Sequence, residues 1–137
     1  MDWADRTAQL SHARRLQVGA VIVKDDSVIS YGYNGMPAGW DNNCEDIISD
    51  VWEEPDLHNL KTKPEVLHAE SNAIAKLAKS TNSGLGATMF ITHAPCMECA
   101  KLIYQSGISS VLYRNAYRDT SGTKFLVLSG VKVEQIK

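Results

Sequence analysis

Two segments of the sequence decide the fold and the chemistry: HAESNAIAKLAKS at residues 68–80 and PCMECAKLIYQSG at residues 95–107. The first begins with His68, and the second contains Cys96 and Cys99 after a proline. An imidazole and two thiols are side chains that zinc prefers, and three protein ligands leave the fourth tetrahedral position to water. An open position of this kind is typical of catalytic zinc. The segments therefore predict one zinc ion, bound by these three side chains.

Glu70 is a carboxylate beside this ligand set that the zinc does not need. Zinc lowers the pKa of a bound water towards neutrality, so that hydroxide is available at working pH. A nearby carboxylate can carry protons from that water to a substrate nitrogen and to a leaving group. On a regular helix Glu70 points about 200° away from His68. We therefore expect Glu70 to act as general acid and base rather than as a ligand.

Both segments are predicted to form helices that begin at the metal ligands. In the first, the apolar residues that share one helical face are Ala73, Ile74, Leu77 and Ala78. In the second, the proline is typical of a helix start and Gly107 of a helix end. Unpaired N–H groups and the positive end of the helix dipole stabilise thiolates at such N-termini. The predicted helices therefore place the ligands where thiolates are favoured.

Other uses of the cysteine pair leave part of the pattern unexplained. A structural zinc site needs a fourth protein ligand. The spare candidates are Cys44, His58, His93 and His12. Of these, His93 ends an apolar run and is more simply a residue at the end of a strand. A thioredoxin-like redox motif would give the histidine and the glutamate of the first segment no role.

Length and composition indicate one soluble domain over residues 1–137. Of the 137 residues, 44% are apolar and 22% are charged, which is ordinary for a globular protein. Two of the three cysteines are better used for metal than for pairing, so a reducing compartment fits best. No signal peptide and no apolar stretch of membrane-spanning length is apparent. We therefore expect a cytoplasmic protein without a membrane partner.

The net charge of −2 and the lack of a basic block argue against a partner that is polymeric nucleic acid. A small anionic substrate remains compatible with this charge, because it needs only two or three well-placed donors. Arg14 and Arg15 are candidates for such donors, since arginine suits phosphate, although both could instead belong to a solvated helix face. The charge pattern therefore favours a small-molecule ligand.

The rest of the chain predicts alternating strands and helices. The expected helices are 2–15, one from 69, 97–106 and about 120–129, and the expected strands are 18–23, 28–33, 87–93, 109–113 and 131–135. The first two strands should form an antiparallel hairpin, and two βαβ crossovers should make the last strands parallel. Residues 45–67 are predicted to be irregular, and an insertion of this length is usually functional. The expected fold is α/β, with three layers, α/β/α, around a mixed five-stranded sheet.

An H-x-E tripeptide followed by P-C-x-x-C is the mark of zinc deaminases that act on nucleobases. In this pattern the chain resembles the cytidine deaminase superfamily and, within it, the deoxycytidylate (dCMP) deaminases. The stretches that carry the narrower resemblance are QVGAVIV at 17–23, GYNGMP at 32–37, DNNCE at 41–45 and QSGI at 105–108. The resemblance extends from about residue 10 to residue 136. It implies a cytidine deaminase-like fold and hydrolysis of dCMP to dUMP and ammonia, which supplies dUMP for thymidylate synthesis.

The resemblance also implies roles for individual residues. His68, Cys96 and Cys99 are implied to bind zinc, and Glu70 is implied to act as the proton shuttle. The residues implied to contact the substrate are Asn34, Ala69 and Tyr117. One of the two arginines at 14 and 15 is expected to help Tyr117 hold the 5′-phosphate. Tyr117 could instead only cap a strand end, and Asn34 could only shape a turn. Some relatives hold a second, structural zinc through a cysteine where this chain has Ala13, so we expect one zinc.

Regulation is a further implication of the resemblance. Many members form homohexamers that dCTP activates and dTTP inhibits, with Mg²⁺ accompanying the allosteric triphosphate. The residues implied for a regulatory site distinct from the zinc are Asn34, Gly35, Lys76 and Lys79, together with the 36–60 segment. The two lysines are most simply explained as a solubilising helix face. The sequence gives Cys44 no defined role.

Two other functions remain open from the sequence. One is deamination of another base, in cytidine, guanine or the wobble adenosine of tRNA, although a tRNA enzyme should carry more basic surface. The other is a catalytically silent, nucleotide-binding regulator. The intact ligand set and Glu70 argue against a silent protein. Ammonia release from dCMP, CMP, deoxycytidine and dCTP would separate most of these alternatives.

Overall fold

The computed structural model describes residues 1–47 and 60–137. Its helices are α1 (Asp2–Ala8), α2 (Ala69–Ala78), α3 (Met97–Gln105) and α4 (Ser121–Leu128). Its strands are β1 (Gly19–Lys24), β2 (Ser27–Tyr33), β3 (Glu45–Ile47), β4 (Leu60–Thr62), β5 (Thr88–His93), β6 (Ser110–Asn115) and β7 (Lys132–Gln135). The helices and strands predicted after residue 16 therefore all occur, with small shifts of their ends.

Five of the strands form a mixed sheet in the order β2-β1-β5-β6-β7. β1 and β2 pair as an antiparallel hairpin, whose turn places Asp25 and Asp26 at φ 51° and 61°. Two consecutive residues with positive φ are typical of the hairpin turn whose twist matches that of the strands. β5 pairs antiparallel with β1 and parallel with β6, and β6 pairs parallel with β7. The predicted mixed sheet with parallel last strands is confirmed.

Helices cover both faces of this sheet. Neighbouring strand residues point to opposite faces, and Gly19 lies against α1 whereas Gly32, the partner of Ala20, lies against α2. α3 and α4 pack on the same face as α2, over a core whose strand residues include Ala20, Ile22, Met89, Ile91 and Val111. The predicted three-layer α/β/α architecture is confirmed. None of the described helices has the length and apolar character that a membrane span requires.

Gly32 allows α2 to lie directly against the edge strand β2. A Cβ at this position would overlap the carbonyl oxygen of Ala69 and the amide nitrogen of Ala73. The hydroxyl of Ser30, on the same face of the strand, donates a 2.6 Å hydrogen bond to the Ala73 carbonyl. The first turns of α2, which carry the metal-ligating histidine, are therefore held close to the sheet.

The predicted helix over 2–15 is wrong beyond Ala8, where α1 ends. Ser11 explains the change of direction, because its hydroxyl accepts the N–H of Ala13 (3.1 Å) and donates to the carbonyl of Asn34 (2.7 Å). A serine that bonds to nearby backbone competes with helical hydrogen bonds. Residues 9–18 therefore form a loop that reaches from α1 to β1, and both Arg14 and Arg15 lie on it rather than on a helix face.

The prediction that residues 45–67 are irregular throughout is also wrong. β3 pairs antiparallel with β4, with Glu45 opposite Thr62, and the amide of Lys63 donates a 2.8 Å hydrogen bond to the carbonyl of Cys44. Short strands with this composition lack the alternation that marks a strand in a sequence. The rest of the insertion, residues 48–59, lies outside the described residues, as does the candidate ligand His58.

Candidate metal centre and active site

Three donor atoms converge between the first turns of α2 and α3. The Nδ1 atom of His68 lies 3.3 Å from the sulfur of Cys99 and 3.6 Å from the sulfur of Cys96. All three atoms lie within 4.8 Å of one another. The three ligands predicted from the sequence are thus brought together, and they are the one such cluster among the residues that the structure describes.

The helix starts explain why these side chains meet. His68 is the N-cap of α2 and Cys96 is the N-cap of α3, and both have extended backbone conformations. Cys99 lies one turn further along α3. Gly122 in α4 allows close packing against this start, because a Cβ there would overlap the carbonyl oxygen of Pro95. The metal centre is therefore fixed by backbone packing on two sides and opens on the side of the exposed His68.

This donor set fits zinc in number, type and spacing. Tetrahedral zinc with bonds of about 2.1 Å to nitrogen and 2.3 Å to sulfur would separate these donors by about 3.6 Å. The two nitrogen–sulfur distances, 3.3 and 3.6 Å, agree with that separation. Of the spare candidates, His12, Cys44 and His93 are not part of the cluster. A site with three protein ligands leaves one position for water.

The electrostatics of the cluster also favour a bound cation. Hydrogen bonds from the thiol of Cys99 and from His68 lower the pKa of Cys96 to about 4. Cys99 keeps the remaining proton, and its pKa is raised because it is the donor to Cys96 and is buried. The hydrogen bond to Cys96 in turn raises the pKa of His68. A metal ion takes the place of these shared protons, since coordinating thiols deprotonate.

Glu70 lies on the first turn of α2 with only 5% of its surface exposed. Burial raises the pKa of its carboxyl group. It lines the same cleft as His68 and Cys96 but is not part of the donor cluster. A buried carboxyl group with a raised pKa beside a metal site is suited to accept and return a proton.

The cleft has a volume of about 460 Å³ and opens from the donor cluster to the surface. Its walls are formed by the carboxyl ends of β5 and β6, by the 13–18 loop, by the end of β2 and by the paired strands β3 and β4. Ligands bind at the carboxyl ends of strands in open α/β sheets. The position and size of the cleft therefore suit one small-molecule substrate.

The substrate residues predicted from the sequence divide into two groups. Arg15, Asn34 and Tyr117 line the cleft, whereas Arg14 and Ala69 do not. Tyr117 follows β6 and is 41% exposed, so its ring is free to meet a ligand at the cleft rim. Ala69 is fully buried at the start of α2, where only its backbone could serve a ligand. Arg14 instead turns to Glu45, with a 3.4 Å ion pair.

Asn34, predicted for both the substrate site and the regulatory site, lies in the cleft itself. Its side-chain oxygen accepts the N–H of Val18 (2.8 Å), and its nitrogen donates to the carbonyl of Leu16 (2.7 Å). An amide nitrogen carries two hydrogens, so one N–H of Asn34 is still available to a ligand. The other regulatory candidates, Gly35, Lys76 and Lys79, do not line the cleft.

The cleft residues that were not among the predicted site residues include Arg118, Glu45 and His93. Arg118 follows Tyr117 just after a parallel strand, which is a position that could have indicated a ligand contact. His93 is the last residue of β5, as expected, and its Nδ1 atom lies 3.0 Å from the hydroxyl of Thr92. Burial lowers the pKa of His93, so its ring lines the cleft in the neutral form.

An open site of three ligands beside a buried carboxylate defines a class of zinc enzymes that activate water. Residues 1–115 match the model of the cytidine and deoxycytidylate deaminase zinc-binding region. The chain belongs to this family of deaminases.

Individual relatives agree with this assignment. The deoxycytidylate deaminase of Enterobacteria phage T4 is 34% identical over 131 residues, covering 74% of this chain and 68% of that protein. The human deoxycytidylate deaminase is 40% identical over 117 residues, covering 83% of this chain and 62% of that protein. The dCMP deaminase of cyanophage S-TIM5, solved with dCMP and dUMP, has a TM-score of 0.86 and 41% identity, covering 98% of this chain and 92% of that chain.

We predict one zinc ion per purified chain and its loss in Cys96→Ser, because a hydroxyl is a far poorer soft donor than a thiolate. Elemental analysis of the pure protein measures the metal directly. Cys44→Ser is the matched control, since Cys44 is also a free cysteine but lies outside the donor cluster, and it should retain its zinc. A content near zero or near two in the unaltered protein would contradict the assignment.

Proposed function

We propose that this protein catalyses the zinc-dependent hydrolysis of dCMP to dUMP and ammonia. The observation that carries the proposal is the convergence of the three metal ligands with buried Glu70 at the base of one nucleotide-sized cleft. The relatives named deoxycytidylate deaminase support the choice of substrate. Free cysteine thiols support a cytoplasmic location, where thiols stay reduced.

In this reaction water adds across the N3=C4 bond of the pyrimidine, and the C4–N4 bond then breaks to release ammonia and leave a carbonyl at C4. Zinc, when bound, supplies a Lewis acid that makes water nucleophilic at neutral pH. Glu70 accepts the proton that the attacking water loses, returns it to the ring nitrogen N3, and assists proton transfer to the departing N4. Because Glu70 is almost completely buried, few water molecules compete with its carboxylate for these protons.

Three side chains of the cleft suit the 5′-phosphate. Arg15, Tyr117 and Arg118 all line the cleft, and together they offer two guanidinium groups and one phenol. Guanidinium groups match phosphate oxygens in pairs. Asn34, which also lines the cleft, has a spare N–H for the sugar or base. These contacts would favour a nucleotide over a nucleoside.

Glu70→Gln should lower turnover by about 10²–10⁴-fold while leaving zinc content and fold unchanged, because the amide cannot carry a proton. The steady-state rate of ammonia release, taken with elemental analysis, checks both parts. Glu98→Gln is the matched control, since Glu98 is exposed between the two cysteines and pairs with Lys101. A Glu70→Gln enzyme within about tenfold of the unaltered rate would remove the proton-shuttle role.

The substrate proposal predicts a higher kcat/KM for dCMP than for deoxycytidine. Tyr117→Phe should raise KM for dCMP with little change in kcat, because a phosphate contact is the same in the ground and transition states. The same variant should leave the kinetics of deoxycytidine unchanged. Assays with CMP, cytidine and guanine test the other deaminase activities in parallel. Equal kcat/KM for nucleoside and nucleotide would contradict a phosphate pocket.

Regulation is a finer part of the proposal: dCTP with Mg²⁺ activates and dTTP inhibits a homohexamer of this chain. Gly35 pairs with Leu67 immediately outside the cleft wall formed by Asn34, so a nucleotide held there would act on the cleft directly. Lys76 on α2 and Lys79, the C-cap of α2, are exposed cations, and the ammonium of Lys76 lies 4.2 Å from the ring centre of Tyr31. These groups could hold effector phosphates.

Regulation predicts sigmoidal dCMP kinetics that dCTP with Mg²⁺ makes hyperbolic and dTTP makes steeper. Opposite effects require each effector to prefer a different protein state, with a typical coupling of about 5–150-fold in affinity. Lys79→Ala should weaken both responses, whereas Lys132→Ala, an exposed lysine on β7, should not. Hyperbolic kinetics that either triphosphate changes only by competition would contradict regulation.

A further inference from the structure

The buried carboxylate of Glu45 lies in the wall of the cleft, and the chemistry of deamination does not use it. Glu45 is the first residue of β3 and has 1% of its surface exposed. A buried carboxylate is stable only when donors surround it. The identity of those donors therefore indicates what Glu45 does.

Within the part of the chain that the structure describes, all donors to this carboxylate come from two successive residues of the loop between α1 and β1. The amide of Arg14 lies 3.1 and 3.0 Å from its two oxygens, and the amide of Arg15 lies 3.1 Å from one of them. The guanidinium Nε of Arg14 adds a third donor at 3.4 Å. Consecutive N–H groups that converge on one anion fix the backbone locally. Glu45 therefore determines the path of the loop at residues 14 and 15.

The two neighbouring arginines then have different roles. The guanidinium of Arg14 is committed to this region, since its Nη2 donates to Asn43 (2.9 Å) and to the carbonyl of Glu45 (3.3 Å). The side chain of Arg15 lines the cleft and forms no ion pair with another described residue. The guanidinium of Arg14 compensates the buried charge of Glu45, and the guanidinium of Arg15 is available to bind an anionic ligand.

The other side of Arg15 is fixed as well. Asn34 bonds to the carbonyl of Leu16 and to the amide of Val18, the residues that follow Arg15 on the loop. The loop has no helical or strand hydrogen bonds of its own over this stretch. Arg15 is thus held between two side-chain anchors, of which only Glu45 carries charge.

We propose that Glu45 is a positioning residue that directs Arg15 towards the 5′-phosphate of the substrate and so determines the preference for nucleotide over nucleoside. The inference rests on the proposed dCMP deamination. Glutamine at this position would offer one acceptor oxygen and an NH₂ group that faces the N–H donors. The loop would then lose its fixed path, and the side chain of Arg15 would no longer be directed towards the phosphate. The metal ligands and Glu70 would be unaffected.

Steady-state kinetics of Glu45→Gln with dCMP and with deoxycytidine test this proposal. KM for dCMP should rise about 10–100-fold, the equivalent of one charge-assisted contact. The kcat for dCMP and the parameters for deoxycytidine should stay within about threefold of the unaltered enzyme. Asp46→Asn is the matched control, because Asp46 is the next residue and is largely exposed, and it should change neither substrate.

A double variant separates positioning from a general structural role. If Glu45 acts through Arg15, Glu45→Gln combined with Arg15→Ala should be no worse for dCMP than Arg15→Ala alone. Equal losses for both substrates, or additive losses in the double variant, would overturn the proposal. If Glu45→Gln fails to fold, Glu45→Asp keeps the charge at a shorter reach and should show a smaller loss that is again confined to dCMP.

The unaltered enzyme distinguishes failure of the inference from failure of the proposed function. A clear preference for dCMP in the unaltered enzyme that survives in Glu45→Gln overturns only the positioning role. No preference in the unaltered enzyme overturns the phosphate site and, with it, the role of Glu45.

Discussion

The convergence of two helix N-termini is the constraint on which the rest of the structure depends. His68 and Cys96 are N-caps of α2 and α3, and their donor atoms can meet only if both helices lie on one face of the sheet at the same depth. Gly32 permits the close backbone contact between β2 and α2, and Gly122 permits the close contact between α4 and the start of α3. The positive ends of both helix dipoles then face the thiolates. The order of the strands and the packing of the helices together therefore determine where the three metal-binding donor atoms lie.

Two buried carboxylates in this cleft illustrate how surroundings assign different tasks to one side-chain type. Glu70 is buried with few compensating donors, and burial raises the pKa of its carboxyl group, which suits a group that exchanges protons. Glu45 is buried as deeply, but backbone amides and the guanidinium of Arg14 satisfy it. The first carboxylate is available for chemistry, and the second serves as an anchor.

The sequence predicted the parts of the site that local spacing encodes. The ligands, Glu70 and the two helices follow from short motifs and helical periodicity, and the parallel strands follow from the βαβ order. The length of α1 and the role of Glu45 could not be predicted in this way. Both depend on hydrogen bonds between residues more than twenty positions apart, from Ser11 to Asn34 and from Arg14 to Glu45. Arg118 differs from these, because it closely follows a strand that the sequence predicted to be parallel and its cleft position therefore had a signal in the sequence.

X-ray absorption at the zinc edge tests the central claim most directly, because it reports the atoms that contact the metal in the folded protein. The account predicts two sulfur atoms at about 2.3 Å and two nitrogen or oxygen atoms at about 2.0–2.1 Å, one from His68 and one from water. A shell with three or more sulfurs would contradict it, since Cys44 would then be a ligand. A shell without sulfur would contradict the site altogether.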